Sequence, residues 1–337
     1  MIIVKVSSGS KEYSNILLRQ TPGNKGFWKD CHFIVNQEVE RCDWWVVLHV
    51  SGLKNIETTM CNRENIIYLS MEPNENLLSV DKRFLSQFSR VMICDRDVMH
   101  NHSIFGNALT WWVGIRVQNS KQGHKISSDY SLSYDSLSSM NPPVKTKLIS
   151  LIISNKKTLP GHKKRLAFID AIINSPLKNY IDIFGDGYIP IVDKWDAILP
   201  YKYHLVLENA NIPDYWSEKI GDAFLGFSYP IYYGCPNINN FFSDKSISVI
   251  DIVDTKTAIS KIMDIINSDK NISALAYIIE SRNLVLNKYN VFNQISEICN
   301  SKNYIFNKIK LYPNWYFRLP LLKKYIKYIL IKLNISK

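Results

Sequence analysis

The pattern of hydrophobic and polar positions is that of an α/β protein, in which short apolar runs alternate with segments of helical periodicity. The runs are rich in β-branched and aromatic residues, as buried strands are. Between two of these runs, Leu166, Ile169 and Ile173 recur at helical spacing. This alternation predicts parallel, doubly wound sheets. The predicted strands are 42–49, 65–69, 90–94, 147–153, 180–184, 203–207 and 230–234.

One strand–helix–strand unit, residues 201–234, stands out because polar residues follow its first strand directly. The apolar run ends at Glu208 and Asn209, and Asp214 then has the residue type of a helix N-cap. Apolar residues recur along the predicted helix and define one face. The opposite face carries Tyr215, Glu218, Lys219 and Asp222.

The position of these polar residues indicates an anion site. Ligands of α/β proteins bind at the carboxyl ends of strands, and unpaired N–H groups at a helix N-terminus favour a phosphate. Lys219 adds a positive charge one turn into the helix. The alternative is that these side chains form only the solvated face of an amphipathic helix.

Length and composition fit a globular protein of two domains, since 337 residues exceed one ordinary core. Apolar residues make up 46% and charged residues 21%, which are ordinary values. The first residues lack the features of a signal peptide, and no apolar run reaches the roughly 18 residues of a spanning helix. We therefore expect a cytoplasmic protein. Its six cysteines are scattered and form no CxxC pair, which argues against a disulfide framework and against a zinc site.

The net charge of +11 is concentrated at the C-terminus. Residues 301–337 hold nine Lys and Arg and no acidic residue, which leaves 32 basic and 30 acidic residues elsewhere. A nucleic-acid binder would carry its basic residues across a folded face, so this distribution disfavours that class. The mixture of aromatic and basic residues predicts a helix at an anionic membrane surface, on the inner face. The alternative is a helix packed on the protein with exposed lysines.

A polar, serine-rich segment, 117–144, predicts a long loop or interdomain linker. The predicted domains are therefore an N-terminal domain with this linker at 1–145, a second α/β domain at 146–300 and the basic tail at 301–337.

The unit 201–234 resembles the donor-site signature of the α1,3/α1,4-fucosyltransferases (glycosyltransferase family 10) of the bacterial type. That signature has Tyr-Lys-Phe, then Phe-Glu-Asn, then Tyr-x-Thr-Glu-Lys, and a proline-led strand ending in glycine. The matching residues are Tyr201-Lys-Tyr203, Leu207-Glu-Asn209, Tyr215-Trp-Ser-Glu-Lys219 and Pro230-Ile-Tyr-Tyr-Gly234. Tyr203, Leu207 and Ser217 depart from it, and Ser217 keeps the hydroxyl.

The resemblance implies a GT-B fold of two Rossmann-like domains facing a cleft, and inverting transfer of fucose from GDP-fucose to a glycan hydroxyl. It implies Glu72, just after a predicted strand, as the catalytic base. It also implies that neither metal nor cofactor takes part. The donor-binding residues that it implies are Arg165, which Lys163 and Lys164 rival, and Glu208, Asn209, Tyr215, Ser217, Glu218 and Lys219.

Two readings compete with a fucosyltransferase. A transferase for another GDP-sugar would carry the same motifs. A non-catalytic nucleotide-sugar-binding protein of the same fold would be expected to lose Glu72 or the Glu218-Lys219 pair, and all three are present. The sequence leaves the acceptor glycan open.

Overall fold

The computed structural model describes residues 1–72, 80–98, 100–106, 110–120, 123–157 and 160–319. Their strands, in chain order, are β1 (Ile2–Ser7), β2 (Phe27–Trp28), β3 (Cys31–Val35), β4 (Trp44–Leu48), β5 (Glu57–Cys61), β6 (Ile66–Leu69), β7 (Arg90–Ile93), β8 (Ser103–Phe105), β9 (Ile115–Ser120), β10 (Gly123–Tyr130), β11 (Lys147–Ile152), β12 (Ile181–Phe184), β13 (Tyr201–Leu207), β14 (Tyr229–Tyr233), β15 (Ser248–Val249) and β16 (Asn307–Leu311). Each of the seven predicted strands is confirmed, with ends shifted by at most two residues.

Most helices lie between these strands along the chain, and four of them follow one another between β15 and β16. One π-helical turn, Leu284–Lys288, follows α8. The α-helices are α1 (Ser14–Leu18), α2 (Lys82–Leu85), α3 (Tyr134–Ser138), α4 (Pro160–Ile173), α5 (Glu218–Leu225), α6 (Thr255–Ile266), α7 (Lys270–Ser273), α8 (Leu275–Asn283), α9 (Val291–Ile298) and α10 (Asn314–Arg318).

The chain divides into two compact units. The described residues of 1–18, 25–108 and 295–337 form the first unit, and those of 19–24 and 109–294 form the second. Each contains a largely parallel sheet of doubly wound, Rossmann-like type. Two such units make up the GT-B fold class, so the predicted fold class is confirmed.

The first unit contains a seven-stranded sheet in the order β2-β3-β1-β4-β6-β7-β8. All its neighbours pair in parallel except β2 with β3. Its core includes the fully buried side chains of Trp45, Tyr68 and Phe84. The carboxyl ends of β4 and β6 adjoin, because the N–H of His49 donates to the carbonyl of Leu69 at 2.7 Å.

The second unit contains a parallel five-stranded sheet in the order β12-β11-β13-β14-β15. From β11 the chain adds β12 on one side and then crosses to add β13 on the other. The strand order therefore reverses between β11 and β13. In open α/β sheets, ligands bind beside the carboxyl ends of the strands at such a reversal. Glu208 and Asn209 follow β13 at this point.

The prediction of an irregular linker over 117–144 is wrong. The strands β9 and β10 form an antiparallel pair there, and α3 follows. Trp111, Val113 and Leu137 are fully buried in the core of the second unit. Burial of these apolar side chains explains why the described residues between 110 and 145 pack with the second unit, whereas the predicted first domain extends to residue 145.

Part of the predicted tail belongs to the fold. The strand β16 pairs with β5 in antiparallel register, and Ile309 and Leu311 are buried in the core of the first unit. In α10, the side chains of Asn314 and Trp315 form hydrogen bonds with the backbone of Asp81 and Lys54. The predicted membrane-surface helix after Pro320 lies outside the described residues. In the part of the chain that is described, no helix has the length and apolar character needed to cross a membrane.

Candidate active site

The centre of the candidate site is a buried carboxylate, Glu208, whose side chain is 0% exposed. It follows β13, and its N–H donates to the carbonyl of Tyr233 at 2.9 Å. Its Oε1 accepts from the N–H of Ser217 at 2.8 Å, and its Oε2 lies 3.2 Å from Nζ of Lys219. A buried carboxylate requires such partners, because desolvation otherwise disfavours its charge.

Gly234 makes room for this carboxylate at the end of β14. A Cβ on Gly234 would lie 2.4 Å from Cγ of Glu208 and 2.5 Å from the hydroxyl oxygen of Tyr232. Neither atom can retreat easily, since both side chains are fully buried. The glycine that ends the motif is therefore required by close packing.

The helix α5 begins three residues later than predicted. The backbone φ of Asp214 is +63°, and Asp214 exchanges two hydrogen bonds with the side chain of Asn237, at 2.9 and 2.8 Å. The Asp214 carboxylate therefore accepts a hydrogen bond from Asn237, and the prediction that Asp214 caps the helix is wrong. Ser217 is the N-cap, since its Oγ accepts from the N–H of Lys219.

This arrangement changes the expected role of the helix N-terminus. Glu208 accepts the N–H of Ser217, and Oγ of Ser217 accepts the N–H of Lys219. Two N–H groups that the sequence analysis offers to a phosphate are therefore engaged within the protein. The anion at this helix end is Glu208 itself.

Lys219 keeps one hydrogen-bonding direction for a ligand. An ammonium group has three N–H donors. In the described chain, two of them reach Oε2 of Glu208 at 3.2 Å and Oγ of Ser217 at 3.0 Å. Burial opposes its charge, but Glu208 and Glu218 outweigh this and raise the pKa of Lys219. The group therefore stays positive, and 22% of the side chain is exposed.

Arg165 on α4 reaches the same strand end. Its Nη1 donates to the carbonyl of Leu207 at 3.3 Å, while Nε, although buried, has no partner among the described residues. Burial lowers the pKa of the Arg165 guanidinium, and the negative charge of Glu208 opposes that shift. Arg165 is 4% exposed, whereas Lys163 and Lys164 point to solvent.

The start of α4 packs tightly against the polar pair after β13. A Cβ on Gly161 would lie 1.7 Å from the carbonyl oxygen of Asn209, so only glycine fits there. The side-chain Oδ1 of Asn209 is buried without a partner in the described chain. An unpaired buried amide oxygen is available to accept a hydrogen bond from a ligand.

Two further positions near this site, Lys156 and His162, were missed by sequence reasoning. Burial lowers the pKa of His162, and the positive charges of Arg165, Lys156 and Lys219 lower it further. The residues therefore lie close enough for their charges to interact. A cluster of positive charge around one neutralised carboxylate is suited to an anion. The sequence signal was the run of basic residues between 156 and 165.

The four polar side chains of the predicted face are buried or half-buried, so the alternative of a solvated face is wrong. Tyr215 is 2% exposed and the Asp222 side chain is 1% exposed. Oδ1 of Asp222 accepts from the N–H of Trp112 at 2.9 Å, and Oδ2 lies 3.1 Å from Nζ of Lys194. The same lysine lies 3.1 Å from Oε1 of Glu218. Lys194 is a further site residue without a sequence signal.

Glu72 lies in the first unit, just past β6, and is exposed. The hydroxyl of Ser70 donates to its backbone carbonyl at 2.6 Å, which fixes the turn. Glu72 lines a small pocket together with Tyr68, Ser70 and Asp95. The carboxyl edge of a parallel sheet is a usual place for functional residues. The role of Glu72 as a base stays a prediction.

The seven predicted donor residues therefore lie in one unit and around one strand end. Glu208, Ser217 and Lys219 contact one another, Arg165 hydrogen-bonds the carbonyl of the residue before Glu208, and Asn209 adjoins it. Among the residues described, no group of three or more His, Cys, Asp or Glu side chains is placed to hold a metal ion. The fold is of the GT-B class.

Comparison with known proteins finds similarity to fucosyltransferases over about a third of the chain. No protein-family model matches the chain. It is 32% identical over 114 residues to a fucosyltransferase-like protein of Arabidopsis thaliana, which covers 32% of this chain and 21% of the relative. It is 31% identical over 127 residues to the α-(1,3)-fucosyltransferase FucT of Helicobacter pylori, covering 36% of this chain and 25% of the relative. The resemblance to fucosyltransferases is thereby confirmed, although the matched part is a quarter or less of each relative.

Solved structures are also similar. A crystal structure of an α1,3-fucosyltransferase with GDP-fucose is 18% identical with a TM-score of 0.47, covering 90% of this chain and 91% of that one. The crystal structure of TarM is 12% identical with a TM-score of 0.43, covering 76% of this chain and 54% of that one.

Proposed function

We propose that this protein is an inverting glycosyltransferase that transfers fucose from GDP-fucose to a hydroxyl of a glycan in surface polysaccharide or lipopolysaccharide synthesis. The observation that carries the proposal is the pair of Lys219 and the buried Glu208, at the strand-order reversal of the second unit. The similarity to fucosyltransferases supports the choice of donor.

In this proposal the donor diphosphate binds beside Arg165 and Lys219. Their charges stabilise the negative charge that develops on the leaving GDP as the bond to the sugar breaks. Glu208 has an indirect role in this proposal. Because it is fully buried, it positions Lys219 and Ser217 and does not contact the donor. Asn209, Tyr215 and Glu218 hold the phosphates, the ribose and the sugar.

Glu72 acts as the general base. The acceptor hydroxyl oxygen attacks the anomeric carbon of fucose, its proton passes to the Glu72 carboxylate, and GDP departs with the electrons of the broken bond. Attack from the face opposite the leaving group inverts the anomeric configuration. The exposure of Glu72 supports this role, because a base must reach the acceptor hydroxyl.

The protein docks on an anionic membrane surface through its C-terminal residues. Support comes from the nine basic residues in 301–337 and the absence of acidic ones there. Docking at the inner face of the membrane would bring the enzyme to lipid-linked acceptors.

A panel of GDP-sugars and other nucleotide sugars tests this function. We expect the protein to bind GDP and GDP-fucose by calorimetry, and to transfer fucose to a fucose-accepting oligosaccharide. Preference for another GDP-sugar would favour the competing transferase. Binding without hydrolysis or transfer across the panel would favour a non-catalytic nucleotide-sugar-binding protein, and absence of GDP binding by the folded protein would overturn the donor site.

A further inference from the structure

Lys194 lies in a turn before β13, outside every motif that the family resemblance uses. Its ammonium nitrogen lies 3.1 Å from Oε1 of Glu218 and 3.1 Å from Oδ2 of Asp222. These two acids are one turn apart on α5. The Asp222 side chain is 1% exposed and the Glu218 side chain 24% exposed, so one lysine joins two largely buried carboxylates.

Hydrogen bonds within the protein hold the turn that carries Lys194. Oδ1 of Asp193 accepts from the N–H groups of Trp195 and Gly114, both at 2.9 Å. The carbonyl of Ala197, at the end of the same turn, accepts from the hydroxyl of Ser150 at 2.5 Å. These bonds limit the backbone movement of Lys194, so the ammonium group is held in place.

Lys194 is the main counter-charge of Glu218. The alternative, Lys219, lies 3.8 Å from Oε1 of Glu218 but 3.2 Å from Oε2 of Glu208, to which it is hydrogen-bonded. Burial opposes the charge of Glu218, but Lys194 and then Lys219 outweigh it and lower its pKa to about 2. Without Lys194, two like charges four residues apart would face each other in a buried setting.

We propose that Lys194 is a positioning residue of the donor site, which keeps Glu218 ionised and holds one of its carboxylate oxygens. The other oxygen then accepts hydrogen bonds from hydroxyl groups of the donor, on the ribose or the transferred sugar. This inference rests on the proposed function, in which Glu218 contacts the donor. A carboxylate is a stronger acceptor for a hydroxyl than a carboxylic acid is, and one fixed oxygen sets the orientation of the other.

The test measures the pH dependence of GDP-fucose affinity in Lys194→Met and in Lys194→Arg. GDP-fucose is suitable because its diphosphate is esterified at both ends and does not titrate near neutrality. In Lys194→Met, burial and Asp222 raise the pKa of Glu218, so the group takes up a proton as the pH falls. We expect affinity to fall roughly tenfold or more between about pH 8 and pH 5 in this variant. The wild type and Lys194→Arg should change much less, because Arg restores the charge.

Lys194→Met leaves Asp222 without its cation and can fail to fold, so Lys194→Met/Asp222→Asn is the second variant. It removes the charge of both groups and keeps their size. The pH-dependent loss should persist in it, because Glu218 still lacks its partner. A folded double variant with the pH profile of the wild type would overturn the inference.

Glu218→Gln separates this inference from the proposed function. It should weaken GDP-fucose binding by itself, and adding Lys194→Met should produce no further pH-dependent loss, since the titrating group is gone. Unchanged affinity in Glu218→Gln would overturn the donor role of Glu218 and the inference with it. Weakened affinity in Glu218→Gln, with a folded Lys194→Met that matches the wild type at every pH, would overturn the inference alone.

Discussion

The Nζ atom of Lys219 lies 3.2 Å from Oε2 of Glu208, a residue with no exposed surface. The pair sits at the end of β13, where the strand order of the second unit reverses. Lys219 thus neutralises a buried carboxylate and, in our proposal, also binds a diphosphate. Substitution of either residue should therefore change stability as well as ligand affinity.

Lys219→Ala should lower the free energy of unfolding by roughly 2–4 kcal/mol, because it leaves the Glu208 charge buried without its cation. It should also weaken GDP binding by about 1.5–3 kcal/mol through loss of a charge-assisted contact. Urea denaturation and calorimetry with GDP measure the two effects.

Glu208→Gln/Lys219→Met separates stability from binding at this pair. It removes both charges and keeps their volume, so most of the stability should return while GDP affinity stays low. Recovery of GDP affinity in the double variant would show that Lys219 serves only to neutralise Glu208.

Glu72→Gln should reduce the transfer rate by about 10²–10⁴-fold, because the amide cannot take the acceptor proton. GDP affinity and stability should stay close to those of the wild type, since the side chain is exposed and lies in the other unit. Single-turnover transfer and GDP titration measure both. Glu64→Gln, at an exposed glutamate of the same unit, is the matched control. Near-normal transfer by Glu72→Gln would mean that another group is the base; Glu75, the next candidate, lies outside the described residues.

Lys145 should make stability depend on pH. Its side chain is half-buried, its ammonium group donates to the carbonyls of Leu199 and Gly226, and desolvation lowers its pKa from 10.5 to about 7. Between these values the unfolded chain binds more protons than the folded protein, so the free energy of unfolding rises with pH. Below about pH 7 both states are protonated and the contribution is constant.

Lys145→Met should lose this rise between about pH 7 and pH 10, which urea denaturation at several pH values would measure. The free energy of unfolding of the wild type minus that of Lys145→Met should increase by roughly 1 kcal/mol per pH unit over this range. The control is Lys164→Met, at an exposed lysine of α4, which should follow the wild type. Parallel profiles of Lys145→Met and the wild type would mean that the Lys145 amine keeps its ordinary pKa.

Truncation after Leu319 should release the protein from anionic liposomes and leave transfer to a soluble acceptor intact. Co-sedimentation at low and high salt would measure the release, since electrostatic docking weakens with salt. Truncation after Tyr312 should in addition lower stability, because it removes the contacts of Asn314 and Trp315 with the first unit. Liposome binding that survives the shorter truncation would contradict a membrane role for the tail.

The sequence alone determined the elements and the location of the candidate site. Apolar runs such as 203–207 are buried strands because their periodicity is a local property of the chain. Motif spacing likewise predicted that Glu208, Ser217 and Lys219 lie together, because a strand end and the start of the following helix are close in sequence and in space.

Only the tertiary structure decided which of these polar groups are buried and what they contact. Asp214 pairs with Asn237 instead of capping α5, and Lys194 reaches Glu218 across 24 residues of chain. Residues 307–311 complete a strand pair with β5 instead of beginning a tail. Such partners are set by long-range packing, which buries apolar neighbours and obliges each buried charge to find a counter-charge, and no local pattern of residues specifies that choice.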